Sequence, residues 1–243
     1  MTSTRKDIIA QLQKDMLSLQ GFKPMADDNG VEIELGPIKS AFPNARFPLG
    51  AVHEFICNGA EDAAATGGFI AGVLGTLMQQ GGAALWISAS RTIFPPALKF
   101  FGINPDKIIF IDLSKEKDIL WVMEEALKTE GIAAVTCEMK EISFTASRRL
   151  QLAVEQSRVT GFILCRNQRN LSTTACVTRW KVSSLPSALP GAMPGVGFPR
   201  WNIELLKVRN GKPGTWQVEW EGGRFRHVLR VAAILQEPQK KTG

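Results

Sequence analysis

Five short apolar runs recur along the middle of this chain, each separated from the next by a stretch of helical periodicity. The runs are 52–57, 83–88, 107–113, 132–137 and 161–165, and the helical segments fall near 66–80, 94–102, 116–130 and 145–158. Runs such as Ala83-Ala84-Leu85-Trp86-Ile87-Ser88 and Gly161-Phe162-Ile163-Leu164-Cys165 are continuously apolar rather than alternating. That pattern suits parallel strands covered on both faces. Strand–helix alternation at this spacing predicts βαβ units with right-handed crossovers. The expected fold class is therefore α/β, a doubly wound, mostly parallel sheet with helices on both faces.

The flanks read differently. In 4–20, Ile8, Leu12, Met16 and Leu19 share one helical stripe that Ile9 widens, and Gly21 marks the stop, which predicts an N-terminal amphipathic helix. This helix packs on its own core or docks on another subunit. Residues 22–48 hold Pro24, Gly30, Gly36, Pro37, Pro43 and Pro48 and read as an irregular linker with a short strand at Val31–Leu35. After Asn170 the helical pattern ends. A strand at 174–183 leads to a Pro- and Gly-rich loop, Ser183–Pro199, which is either a plain excursion or a partner-docking segment. Strands at 201–208 and 215–220 around Asn210–Gly214 predict a C-terminal antiparallel hairpin, followed by a run at 226–235. The chain divides into a helix and linker at 1–45, a core with hairpin at 46–236 and a polar tail at 237–243.

A chain of 243 residues can bury a core without disulfides or metals. No apolar run approaches the ~20 residues of a membrane span. Met1–Asp7 lacks the apolar core of a signal peptide, so a cytoplasmic protein is expected. Cys57, Cys137, Cys165 and Cys176 show no C-x-x-C spacing and read as buried thiols. His53 and His227 have no nucleophile or ligand at motif spacing, which argues against a catalytic triad or a metal site. Charge is uneven: residues 1–157 carry 15 basic and 19 acidic side chains (net −4), and 158–243 carry 14 and 4 (net +10), giving +6 for the chain. A basic C-terminal third suggests an anionic partner, nucleic acid first, with a solvated face as the other reading.

Gly59–Thr66 lies between the first apolar run and the first helix, where a phosphate-binding loop would sit. It keeps the spacing of G-x-x-x-x-G-K-[ST] and loses its chemistry. Ala65 replaces the lysine, Ala64 replaces the second glycine, and Glu61 and Asp62 add negative charge to an anion cradle. A charge-assisted hydrogen bond is worth roughly 1.5–3 kcal/mol, so losing the lysine alone costs about ten- to a hundredfold in affinity.

The region from about Arg46 to Trp220 resembles the RecA-type ATPase core. The similarity rests on Phe47-Pro48-Leu49-Gly50-Ala51-Val52-His53-Glu54 before the loop and Trp86-Ile87-Ser88-Ala89-Ser90 with the segment that follows. Gly161–Gln168 and the closing Leu206-Lys207-Val208-Arg209-Asn210 complete it. Within that superfamily the chain looks most like the ImuA family, on Phe47–Gly50, on Ser147-Arg148-Arg149-Leu150-Gln151-Leu152-Ala153-Val154-Glu155, and on Glu204–Gly211 leading to Trp216. The resemblance implies a RecA-like fold. It also implies an accessory role in DNA-damage-induced (SOS) translesion synthesis and mutagenesis, with a polymerase-like ImuB-type protein and an error-prone polymerase as partners. An active RecA-type DNA-dependent ATPase and a SulA-like cell-division inhibitor are the competing readings.

Against that family pattern, Ser90 stands where the catalytic glutamate belongs, and Glu138 is nearest the position of the metal-side aspartate. The two DNA loops are trimmed to Glu141–Thr145 and Arg169–Thr173. The chain is accordingly read as no enzyme. Gly59, Ala64, Ala65, Thr66 and Glu138 form a vestigial nucleotide site, and no cofactor or metal is expected, weak ATP–Mg²⁺ binding being the alternative. Arg148, Arg149, Arg166, Arg169, Arg179, Lys181, Lys207 and Arg209 are the candidate contacts to DNA or a partner protein, through sequence-blind phosphate contacts where DNA is concerned. Trp180 and Trp201 belong either to the core or to a base-stacking surface. Self-association stays open.

Overall fold

The computed structural model describes residues 32–89, 93–166, 172–187 and 197–228. The helix expected over 4–20, Ser90, Arg169 and the tail lie outside them. Among the described residues, nine strands form one sheet: β1 (Val52–Cys57), β2 (Ala83–Ser88), β3 (Ile108–Asp112), β4 (Ile132–Met139), β5 (Thr160–Arg166), β6 (Thr178–Leu185), β7 (Arg200–Val208), β8 (Gly214–Glu221) and β9 (Arg224–His227). Their order is β3-β2-β4-β5-β1-β6-β7-β8-β9. The first six run parallel, and β6 to β9 pair antiparallel, so the expected hairpin is part of a four-stranded antiparallel extension.

Helices cover both faces of the parallel part. Helix α1 (Ala60–Met78) packs on one face with Phe55, Trp86, Phe162, Leu164 and Trp180. Helices α2 (Glu116–Lys128) and α3 (Phe144–Ser157) cover the other, over Val52, Ile87, Val135, Ile163 and Cys165. Neighbouring residues of one strand thus enter opposite cores, which is why these strands carry no polar alternation. The strands β7 and β8 bury only alternate residues, Trp201, Ile203 and Leu205 and then Val218 and Trp220, under α1. Their other face carries Asn202, Glu204, Gln217 and Glu219, in keeping with an antiparallel sheet wetted on one side.

Three local expectations change. Residues 32–35 form no strand, and the stretch read as a linker folds as 3₁₀ turns at Gly36–Ala41 and Pro43–Ala45, with Ile33, Leu35, Ile38 and Phe42 buried in the α1-side core. Residues 95–101 close as a 3₁₀ rather than an α-helix, Pro95 and Pro96 holding its start. The strand β6 begins at Thr178 and runs to Leu185, so Ser183–Leu185 belong to the sheet and not to the following loop.

Helix α1 fits closely against the 3₁₀ turn: a Cβ on Gly75 would lie 2.4 Å from the Phe101 carbonyl oxygen, a backbone atom that cannot swing away. We therefore expect Gly75→Val to cost about 1–3 kcal/mol in urea unfolding through overpacking. Gly67→Ala in the same helix, where a Cβ meets nothing within 4 Å, should gain about 0.5–1 kcal/mol from helix propensity.

Candidate functional site

A cleft of about 840 Å³ opens at the C-terminal ends of β2, β4, β5 and β6, between the first three turns of α1 and the 3₁₀ turn at Pro95–Phe101. The α1 wall is made of small residues, Ala60, Ala64, Gly67, Gly68 and Ala71, and the opposite wall is aromatic, with Phe94, Phe101 and Trp201. The small residues make room: a Cβ on Gly68 would stand 3.0 Å from the Trp201 ring. At the floor the Trp86 indole N–H donates to Glu138 Oε1 at 2.8 Å, and Arg166 forms an ion pair with Glu138 Oε2. Glu138 is nearly buried.

The segment Gly59–Thr66 is not a loop. α1 begins at Ala60, only two residues after β1, and Ala63 N–H already donates to the Gly59 carbonyl at 3.2 Å. Four alanines within 60–65 favour helix where a phosphate loop would need glycines. Gly59 supplies the turn with φ of 102°. Asp62 reaches back to accept from the Asn58 N–H at 3.1 Å, and Glu61 shares the first turn, so two carboxylates already meet the positive end of the helix. Ala64 is exposed on the cleft wall, whereas Ala65 is buried. Thr66 is buried as well, its hydroxyl accepting from Cys57 Sγ at 3.4 Å. Burial pushes the Cys57 thiol up to about 11, and the other three cysteines are buried and free with thiols raised for the same reason. Of the five residues read as a vestigial site, Ala64 and Glu138 line the cleft together with Ala65, while Thr66 faces the core.

The basic residues expected to face DNA are mostly engaged within the fold. Arg179 is buried and binds Glu54 through Nε and Nη2, at 2.9 and 3.3 Å, and also donates to the Ser172 carbonyl. Lys181 lies 3.7 Å from Glu204, its cross-strand partner. Lys207 donates to the Thr174 carbonyl at 2.6 Å, and burial lowers its pKa. Arg209 donates to the Ala175 carbonyl at 3.3 Å. Arg179, Lys207 and Arg209 thus tie residues 172–175 to the sheet. Arg166 belongs to the cleft floor, and Arg149 pairs with Glu124 of α2. Arg148 is exposed on α3. Trp180 is fully buried in the core, and Trp201 is buried where the core meets the cleft wall. No helix among the described residues is long and apolar enough to cross a membrane, and no group of three His, Cys, Asp or Glu side chains there is arranged to hold a metal ion.

A scan against protein-family models finds no match. Among curated proteins, Protein ImuA of Caulobacter vibrioides is 33% identical over 213 residues, covering 82% of this chain and 87% of the relative, in each of two strains. The chain belongs to the ImuA family.

In this ImuA family member, the sequence disclosed little of two features, the buried Glu54–Arg179 pair and the aromatic wall of the cleft. Glu54 gave one signal, a carboxylate inside the apolar run Val52–Cys57, and its partner Arg179 lies 125 positions away. The aromatic wall gave none, since Phe94, Phe101 and Trp201 meet only through the fold.

Proposed function

We propose that this chain is a non-hydrolysing, RecA-like accessory of DNA-damage-induced translesion synthesis and mutagenesis, acting by binding proteins rather than by chemistry. Membership of the ImuA family supports the pathway. The mostly parallel sheet with helices on both faces and an antiparallel C-terminal extension suits a RecA-like core. The observation that carries the inactive reading is the start of α1 at Ala60, with Asp62 capping the turn where a phosphate would be cradled. Its partners are a polymerase-like ImuB-type protein and an error-prone polymerase, with DNA contact secondary, because most of the basic side chains placed for it are engaged internally.

The test has two arms. Purified protein with ATP, Mg²⁺ and single-stranded DNA should release phosphate at the rate of the protein-free mixture; hydrolysis that saturates with protein and disappears in Thr66→Ala would overturn the non-hydrolysing reading. In a host lacking its own copy, the wild-type gene should restore damage-induced mutation frequency, and a chain that restores growth without restoring mutation would overturn the pathway assignment.

A further inference from the structure

A group of cations lies on the α3 side of the sheet, away from the cleft. Lys207, near the end of β7, and Arg209, just after it, donate to the Thr174 and Ala175 carbonyl oxygens at 2.6 and 3.3 Å. A carbonyl accepts a hydrogen bond without cancelling the donor's charge. Burial holds the Lys207 pKa below its usual value, and the Arg179 and Arg209 charges beside it act in the same direction. Nearby carboxylates are already taken, Glu54 by Arg179 and Glu204 by Lys181.

Helix α3 brings a further cation to the same place. The Ser147 hydroxyl oxygen accepts from the Ala175 N–H at 2.9 Å, so the first half of α3 rests on the segment that Lys207 and Arg209 hold. The next residue, Arg148, is exposed, and Arg149 after it turns to Glu124 of α2. Phe144, Arg148 and Leu152 recur at every fourth residue and share one stripe, between the flank on Ala175 and the flank on α2. That stripe spans about 12 Å. Phe144 is 53% exposed and Leu152 49%, where a merely solvated face would be polar. Glu155 is exposed one turn past Leu152 and bounds the surface there.

Strand β7 adds another apolar side chain. Its pairing with β6 shifts between Arg179 and Trp180, which leaves Leu206 opposite no residue of β6. Leu205 and Val208 enter the α1-side core, so this bulge brings Leu206, 40% exposed, out beside Lys207. The cations Arg148, Lys207 and Arg209 favour an anionic occupant. The apolar side chains interleaved with them favour a protein segment over a phosphate backbone.

We propose that this surface, in a chain that acts by binding proteins, receives an acidic amphipathic helix of a partner whose stripe reads apolar, acidic, apolar at four-residue spacing. Its carboxylate meets Arg148, and its apolar residues cover Phe144 and Leu152. Carboxylates beside that stripe face Lys207 and Arg209.

The probe is a fluorescein-labelled helical peptide of about 18 residues with leucine, glutamate and leucine at that spacing, read by anisotropy against the full chain. Wild type should bind it at least about tenfold more tightly than the same peptide with lysine for glutamate, and less tightly as salt rises. Arg148→Glu should lose about tenfold in affinity, and Leu152→Ser, which leaves the charge alone, about fivefold. Lys99→Glu makes the same charge change at an exposed residue of the 3₁₀ turn packed on α1, across the sheet, and should lose less than about twofold. Equal losses in Arg148→Glu and Lys99→Glu would reduce the effect to net charge and overturn the site. Failure of the acidic peptide to bind, or equal binding of the lysine peptide, also overturns it. Oligothymidylate that binds more tightly than the peptide and is lost in Arg148→Glu assigns the surface to nucleic acid instead. Wild-type self-association that disappears in Arg148→Glu assigns it to a second copy, which overturns the proposal as well. The peptide is independent of the pathway, so its failure leaves the mutation assay standing, and the reverse holds.

Discussion

Replacing Arg179 with methionine is expected to lower the stability of the fold by about 3–5 kcal/mol, because it leaves the Glu54 carboxylate in the core without its cation. The Glu54 side chain is fully buried and that of Arg179 is 11% exposed, so water cannot take over the guanidinium's role. Arg179 also donates to Ser172 and Thr174, and Thr174 donates its hydroxyl to Glu54 at 2.7 Å. Removing the cation therefore also loosens the segment that leads into β6. For a chain of this size each kcal/mol moves the melting temperature by about 2–4 °C, so the loss is large in a thermal scan as well as in urea. The double variant Glu54→Leu with Arg179→Met should recover most of the loss, since an apolar pair of similar volume removes the stranded charge. A single-variant loss under about 1 kcal/mol, the range of an exposed ion pair, would contradict this account.

That pair marks the limit of what the sequence discloses. Strand and helix positions were legible because continuous apolar runs and helical stripes are local patterns: β1 and β2 lie where those runs lie, at Val52–Cys57 and Ala83–Ser88. Gly59–Thr66 misled because its spacing matched a phosphate loop, while the local propensity of Ala60, Ala63, Ala64 and Ala65 pointed to helix, and propensity won. The basic C-terminal third is hard to read locally for another reason. Net charge counts side chains and not their partners, and Arg166, Arg179, Lys181 and Arg200 each find a carboxylate on a neighbouring strand, at Glu138, Glu54, Glu204 and Glu219. Those pairings depend on strand order, which no local pattern records.

The second large effect concerns pH and follows from one hydrogen-bonded chain under α1. The Trp180 indole N–H donates to Thr178 Oγ1 at 2.6 Å. The Thr178 hydroxyl hydrogen is then available to His53 Nδ1 at 2.7 Å, so Nδ1 is the acceptor. Nε2 carries the proton and donates to the Pro48 carbonyl at 3.0 Å. The imidazole is fully buried, with the Phe47 ring 4.5 Å away and that of Phe162 at 5.6 Å. Burial drives its pKa from 6.5 down to about 3, the Pro48 carbonyl opposing only in part. Above pH 6.5 the ring is neutral in both folded and unfolded chains and contributes no pH dependence. Below it the unfolded chain takes up a proton that the native chain refuses, so stability falls by about 1.4 kcal/mol per pH unit, about 3 kcal/mol by pH 4.5, and levels off near the folded pKa. His53→Gln keeps an amide donor and a carbonyl acceptor but does not titrate. Urea unfolding of the two proteins between pH 7.5 and 4.5 isolates the effect, because the carboxylates they share cancel in the difference. The stability advantage of wild type over His53→Gln should shrink by about 3 kcal/mol across that range. Parallel pH profiles would mean that His53 takes up its proton inside the fold.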